Sequence, residues 1–332
     1  MSHVDAEKIR EAKSNIDPYL QKLPILSAPK ISKILGTEIM FKPEFQQETG
    51  SFKIRGALNA IISLSDEERA RGVATASSGN HGPALACAAS KFNSEATIFL
   101  SNLVPENKRQ NVIKNGGIIK IVGKDYDESL EHCLEFVNAK KMKLVHPFDD
   151  PAIVCGAGTI GIEILEEVKN DIDCILVPVS GGGMLAGVAT AIKAYKPNIH
   201  IIGVSMENGA SMYNSIKMGK PVNVQEEETI ADALGGNIGL QNKWTFPTVK
   251  KLVDRIVTVS EESIARAIKL IFDTEGYEVE GAGAVGVAAI MSKKVPTTGN
   301  IICILSGKNI SKEFHSKIVN QVRKQDGPDS SK

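Results

Sequence analysis

The sequence contains no run of 18 apolar residues, so no membrane-spanning helix is expected. Its start, Met1-Ser2-His3-Val4-Asp5-Ala6-Glu7, has no apolar core of the signal-peptide kind. Neither sign of charge is in excess, with 39 Lys and Arg against 39 Asp and Glu. Nothing electrostatic therefore favours nucleic acid or a membrane surface as a partner. Cysteines are few and scattered (Cys87, Cys133, Cys155, Cys174 and Cys303), and none forms a CxxC pair. Their odd number and spacing argue against a disulfide framework or a structural zinc. They fit reduced, mostly buried thiols in a cytoplasm. No internal repeat or low-complexity segment stands out.

What is present is an ordinary globular composition, 42% hydrophobic and 23% charged. A length of 332 residues predicts about two domains. Near-continuous apolar runs lie at residues 96–100, 118–122, 174–179, 199–204 and 300–305. Such runs predict parallel strands covered on both faces. Amphipathic stretches of helical length lie between them, at 130–139, 161–170, 184–195 and 261–273. Strand and helix in alternation predict a doubly wound α/β fold, whose ligands bind at the carboxyl ends of the strands. The last ten residues, from Arg323, read as a frayed polar tail, and no additional regulatory domain is expected.

Four segments can carry chemistry. Ser180-Gly181-Gly182-Gly183-Met184 joins a strand run to a helical run. Three glycines let backbone N–H groups converge on an anion, and the helix N-terminus favours negative charge there. The loop is neither GxGxxG nor a Walker A sequence, so by itself it reads as a phosphate cradle or as a tight turn. Lys53, in Gly50-Ser51-Phe52-Lys53-Ile54-Arg55-Gly56, is a candidate Schiff-base amine or an ordinary surface charge. The chemistry needs a neutral amine, held so by burial or by a nearby cation such as Arg55. Ser77-Ser78-Gly79-Asn80-His81-Gly82 precedes a helix with Pro83 in its first turn. This loop could bind a carboxylate, or it could simply cap the helix. The fourth segment is Leu305-Ser306-Gly307-Lys308-Asn309. His132, His146, His200 and His315 have no partner at metal or triad spacing and read as structural or surface residues.

Taken together these segments resemble the fold type II pyridoxal phosphate (PLP) enzymes, in the threonine dehydratase and serine racemase branch. SFKIRGA (51–57), SSGNHG (77–82), GGGMLAG (181–187), TIAD (229–232) with IGL (238–240), VEGAGAVGVAA (279–289) and LSGKN (305–309) occur in the family's order. The resemblance spans residues 15 to 322. It implies a tryptophan-synthase-β-like α/β architecture with the cofactor between two doubly wound domains. The large PLP-binding domain would comprise residues 1–71 and 149–332. A small substrate-carboxylate-binding domain would comprise residues 72–148.

The resemblance also implies roles. Lys53 would hold the cofactor covalently and take the substrate's α-proton, with Phe52 beside the ring. Asn80 would bind the phenolic oxygen, and Gly181, Gly182, Gly183 and Met184 the phosphate. Ser306 would face the ring nitrogen, where a neutral hydroxyl favours β-elimination over a long-lived carbanion. Glu280 would lie near the cofactor's other edge, and Gly235 and Gly236 would approach the ring. Ser77, Ser78, Asn80 and His81 would surround the substrate carboxylate. Ser78 discriminates within the branch, because serine here permits racemisation alongside dehydration.

The activity implied is dehydration of L-threonine or L-serine to a 2-oxo acid and ammonia, by a cytoplasmic homo-oligomer, dimer or tetramer. The alternatives are an amino-acid racemase with dehydratase side activity, and a dehydratase of another hydroxy amino acid. The latter is suggested by similarity of residues 203–207 and 234–240 to the dehydratases of hydroxyectoine utilisation. Side-chain specificity is expected from the pocket near the small domain, where Tyr126 and Phe148 lie by position. The chain departs from the family at its divalent-cation site. Ser205 and Ser211 stand where relatives carry acids, and Glu207 is two residues out of register. Hard cations need carboxylate oxygens, so no metal is expected there.

Overall fold

The computed structural model describes residues 4–296 and 298–326. Among the described residues ten strands form two sheets. The larger sheet holds β1 (Leu26–Ser27), β2 (Glu38–Lys42), β7 (Cys174–Pro178), β8 (His200–Met206), β9 (Arg255–Val259) and β10 (Asn300–Ile304), in the order β1-β2-β10-β7-β8-β9. Only β1 runs antiparallel to its neighbour. The smaller sheet holds β3 (Val73–Ala76), β4 (Ala96–Leu100), β5 (Ile118–Ile121) and β6 (Lys143–Leu144), all parallel, in the order β5-β4-β3-β6.

Helices α1 (Ala6–Ile16), α2 (Pro29–Leu35), α3 (Lys53–Ile62) and α4 (Asp66–Arg71) precede the smaller sheet. Its strands are connected by α5 (His81–Lys91), α6 (Glu106–Lys114) and α7 (Tyr126–Lys140). The remaining helices are α8 (Pro151–Glu167), α9 (Gly183–Tyr195), α10 (Ser211–Met218), α11 (Thr245–Leu252), α12 (Glu261–Glu275), α13 (Gly281–Met291) and α14 (Lys312–Asp326). The α/β class expected from alternating runs is therefore the class observed.

The apolar runs behave as their composition dictates, with one exception. Every residue of β4 and β7 is buried. Each fully buried Ile, Leu or Val contributes about 1.5–3 kcal/mol relative to exposure. β5 was expected to be covered on both faces. Instead it is the edge of the smaller sheet, with Ile118 47% exposed and Ile121 41% exposed. Apolarity alone does not tell a central strand from an edge strand, since covering depends on what packs outside it.

Two helix boundaries also differ. α8 starts ten residues before the expected stretch and stops at Glu167. Asp150 caps it through Ala152 N and Pro151 opens it. Its glycines serve close packing: a Cβ on Gly156 would sit 2.5 Å from the Arg55 carbonyl oxygen of α3. The expected polar tail is helical through Asp326, and Arg323 within it pairs with Asp273. Residues 327–332 lie outside the described residues. All five cysteines are buried and unpaired.

Behind α3 lies a buried ion cluster. The Arg55 guanidinium donates to Glu44 (Nε–Oε2 2.7 Å) and Glu163 (Nη1–Oε1 2.6 Å), and Lys42 Nζ approaches Glu163 at 2.7 Å. Arg55, Lys42 and Glu44 are wholly buried. These contacts fasten α3 to α8 and to the turn after β2. They fix where the first residue of α3, Lys53, emerges.

Candidate active site

The carboxyl ends of β3, β6, β7 and β10 converge on one cavity of about 230 Å³, as doubly wound sheets require. All thirteen candidate residues of the cofactor and substrate sites line it, from Phe52 and Lys53 to Glu280 and Ser306. The loops are far apart in sequence, and only the meeting of the two sheets brings them together.

Lys53 begins α3 and projects into the cavity, where its Nζ donates to the Pro147 carbonyl at 2.8 Å. Burial lowers its pKa to about 8. Of the two causes left open by the sequence, burial is the one at work. Arg55 turns into the ion cluster behind the helix instead.

Residues 77–82 make the N-terminal turn of α5. The Ser77 hydroxyl accepts from Gly82 N (3.2 Å) and Gly79 N (3.4 Å), so it caps the helix. Ser78 is exposed in the cavity. Asn80 makes no cap. Its Nδ2 donates to Glu280 Oε1 at 2.8 Å, and its Oδ1 accepts from Asn309 Nδ2 at 2.6 Å. Asn309 N donates to Glu280 Oε2 at 3.0 Å. These bonds tie the loop after β3 to the larger sheet. Burial pushes the Glu280 carboxyl up to about 7, and nearby Asp232 adds to the shift.

The His81 ring is buried and donates from Nε2 to the Val145 carbonyl at 3.1 Å, while Nδ1 has no partner. Burial lowers its pKa to about 3, so the ring is neutral. His81 therefore brings no positive charge to a carboxylate. The anion-binding capacity of this loop lies in its backbone N–H groups.

The glycine loop opens α9. Gly182 has φ +88°, a left-handed conformation that suits glycine. A Cβ on Gly181 would lie 2.2 Å from the Phe148 ring, so that position also excludes a side chain. The first N–H groups of α9 have no partners within the helix and face the cavity end of β7. Ser180 Oγ donates to the Gly235 carbonyl at 3.2 Å, which holds the loop carrying Gly235 and Gly236 against the cavity. Ser306 follows β10, and its carbonyl accepts from Phe52 N at 3.0 Å.

Some contacts had no signal in the sequence. The Pro147 and Val145 carbonyls are backbone acceptors. Lys108 Nζ meets Asp232 Oδ2 at 2.5 Å, linking α6 to the loop before Gly235 across 124 positions. At the expected cation position, Ser205 is buried inside β8. Ser211 starts α10 and accepts from Ile238 N at 3.3 Å. Among the described residues no group of three or more His, Cys, Asp or Glu side chains could hold a metal.

Residues 16–307 match the family described as pyridoxal-phosphate dependent enzyme. The chain belongs to that PLP-dependent family. A protein of Sinorhizobium fredii provisionally named threonine dehydratase is 43% identical over 323 residues, covering 97% of both chains. The L-threonine ammonia-lyase of Thermotoga maritima is 38% identical over 318 residues, covering 96% of this chain and 79% of that one. Among solved structures, maize serine racemase superposes with a TM-score of 0.89 at 33% identity, covering 97% and 99%. The PLP-dependent family and the geometry agree. A glycine loop without room for side chains at Gly181 suits a phosphate, and a buried lysine with a lowered pKa suits an aldehyde.

Proposed function

We propose that this protein is a PLP-dependent ammonia-lyase that converts L-threonine or L-serine to the 2-oxo acid and ammonia. One observation carries the reading: the Lys53 amine, lowered to about 8, shares a cavity with both the glycine loop and the α5 N-terminal loop. The named lyase relatives support the substrate class.

Gly181, Gly182, Gly183 and Met184 would hold the cofactor phosphate, Lys53 its aldehyde, Asn80 its phenolic oxygen and Ser306 its ring nitrogen. Phe52, Gly235 and Glu280 complete the enclosure. When bound, the cofactor supplies a sink for the electrons of the broken Cα–H bond. The backbone N–H groups of Ser78, Asn80 and His81 orient the substrate carboxylate at the α5 N-terminus, those of Ser77 and Gly79 being taken by the Phe99 carbonyl and the Ser77 hydroxyl. Lys53 Nζ, its pKa lowered to about 8 by burial, accepts the α-proton. Glu280 and Asn309 hold the Asn80 amide in one orientation. Loss of the β-hydroxyl and hydrolysis of the product then release the oxo acid and ammonia.

A second reading, amino-acid racemisation alongside dehydration, is favoured by Ser78. Its hydroxyl is exposed in the cavity, where it could return a proton to the other face of Cα. We assign residues 1–71 and 149–332 to the cofactor domain and 72–148 to the substrate-carboxylate domain. We further propose a cytoplasmic homo-oligomer; the five buried, unpaired thiols support the reducing compartment.

The test is incubation of the holoenzyme with L-threonine, L-serine, D-serine and threo-3-hydroxyaspartate, with oxo acid and enantiomers both quantified. Oxo acid from L-threonine or L-serine supports the lyase. Enantiomer formed at a comparable rate makes it a racemase. No product from any of the four refutes both readings.

A further inference from the structure

The two sheets meet at a narrow seam beside the Lys53 cavity. A void of about 20 Å³, room for about one water, lies between Asn80, Pro83 and Lys108 on the smaller-sheet side and Asp232, Glu280 and Asn309 on the other. Asn80 is bonded across this seam to Glu280 and Asn309. The second crossing is the ion pair of Lys108 Nζ with Asp232 Oδ2, at 2.5 Å. Among the described residues two ion pairs join residues 72–148 to the rest of the chain, Lys91 with Glu48 and Lys108 with Asp232. Only the second has a partner that lines the Lys53 cavity.

Asp232 is held firmly by the larger sheet. Its neighbours Ala231 and Leu234 are buried in that sheet's core. Just before it, Ile230 N donates to Glu261 Oε2 of α12 at 2.7 Å. Lys108 belongs instead to α6, between β4 and β5 of the smaller sheet, and does not itself line the Lys53 cavity. Helix α6 packs on α5: Val112 shares a core with Leu85 and Ala86. Val112 also reaches the loop that opens α5, since a Cβ on Gly82 would lie 3.5 Å from its Cγ2. A pull on Lys108 is thereby passed to the loop that carries Ser78, Asn80 and His81.

We propose that Lys108 is a positioning residue, whose pair with Asp232 holds α6 and the α5 N-terminal loop against the larger sheet and over the cofactor. The inference rests on a cofactor bound at Lys53, and not on which amino acid reacts there. Without the pair, the seam is left to the Asn80 bonds, and the smaller-sheet side opens more often to solvent. The Lys108 and Asp232 side chains are 31% and 52% exposed, so the pair is of modest strength and is screened by salt. That sensitivity separates the pair from apolar packing of α6, which salt does not screen.

The test is the rate at which hydroxylamine, an uncharged reagent, displaces Lys53 from the cofactor, followed as loss of the visible absorbance of the holoenzyme. At low salt Lys108→Met should react about two- to fivefold faster than wild type, the range open to a partly exposed ion pair. Added salt should bring the wild-type rate up towards that of the variant and leave Lys108→Met unchanged. Lys108→Arg, which keeps the charge, should behave as wild type does. Equal rates in wild type and Lys108→Met, or equal responses to salt, overturn the proposal and leave the cofactor site intact. A protein that shows no cofactor absorbance before the reagent is added refutes the cofactor site, and the proposal with it.

Discussion

Lys53 and Arg55, two residues apart on α3, project to different sides of the helix. Lys53 reaches the Pro147 carbonyl in the cavity, and Arg55 enters a buried cluster with Glu44 and Glu163. The amine stays free of a neighbouring cation and of a carboxylate, and burial alone tunes it. The guanidinium is held charged by its two carboxylates.

Arg55→Met should leave Glu44 buried without a partner and Glu163 with Lys42 alone. Removing one member of such a cluster costs about 3–5 kcal/mol. Urea denaturation of the two proteins measures it. A loss under about 1 kcal/mol would mean that water reaches the two carboxylates.

Ser78→Ala should spare oxo-acid formation from L-serine and remove any D-serine product. Chiral chromatography of the reaction mixture reads both. D-serine formed at the wild-type rate would show that Ser78 is not the proton donor on that face.

Acid sensitivity should carry a contribution from His81. Its folded pKa is lowered to about 3, while an unfolded histidine titrates near its ordinary value, about 6.5. Between those values the unfolded chain binds the extra proton, so stability falls as pH falls, by about 1.4 kcal/mol per unit. His81→Asn should flatten the slope between pH 6 and pH 4. Equal slopes in denaturation curves of the two proteins would mean that the ring is protonated in the fold.

Chelation should leave activity unchanged, because Ser205 and Ser211 offer no carboxylate at the family's cation position. A large loss on dialysis against EDTA, restored by Mg²⁺, would place a cation elsewhere in the protein.

Much of this was legible in the sequence. β4, β7 and β10 stand out because buried parallel strands require unbroken apolar runs. β9 was missed, since Arg255 and Thr258 interrupt its pattern. The early turns of α8 were hidden by glycines that weaken a helical pattern and serve packing against α3. The site loops were legible as motifs, because phosphate and carboxylate binding need particular backbone conformations. What Lys53 and His81 bond to was not, because their partners are carbonyls of residues 145 and 147. Any residue type supplies a carbonyl, so its placement is known only from the fold.

The measurement that tests the central claim most directly is borohydride reduction of the holoenzyme, followed by mass mapping of the cofactor-labelled peptide. The account predicts a single label, on Lys53, and a Lys53→Ala protein with neither label, visible cofactor absorbance nor turnover. A label on another lysine, or turnover retained in Lys53→Ala, would contradict it.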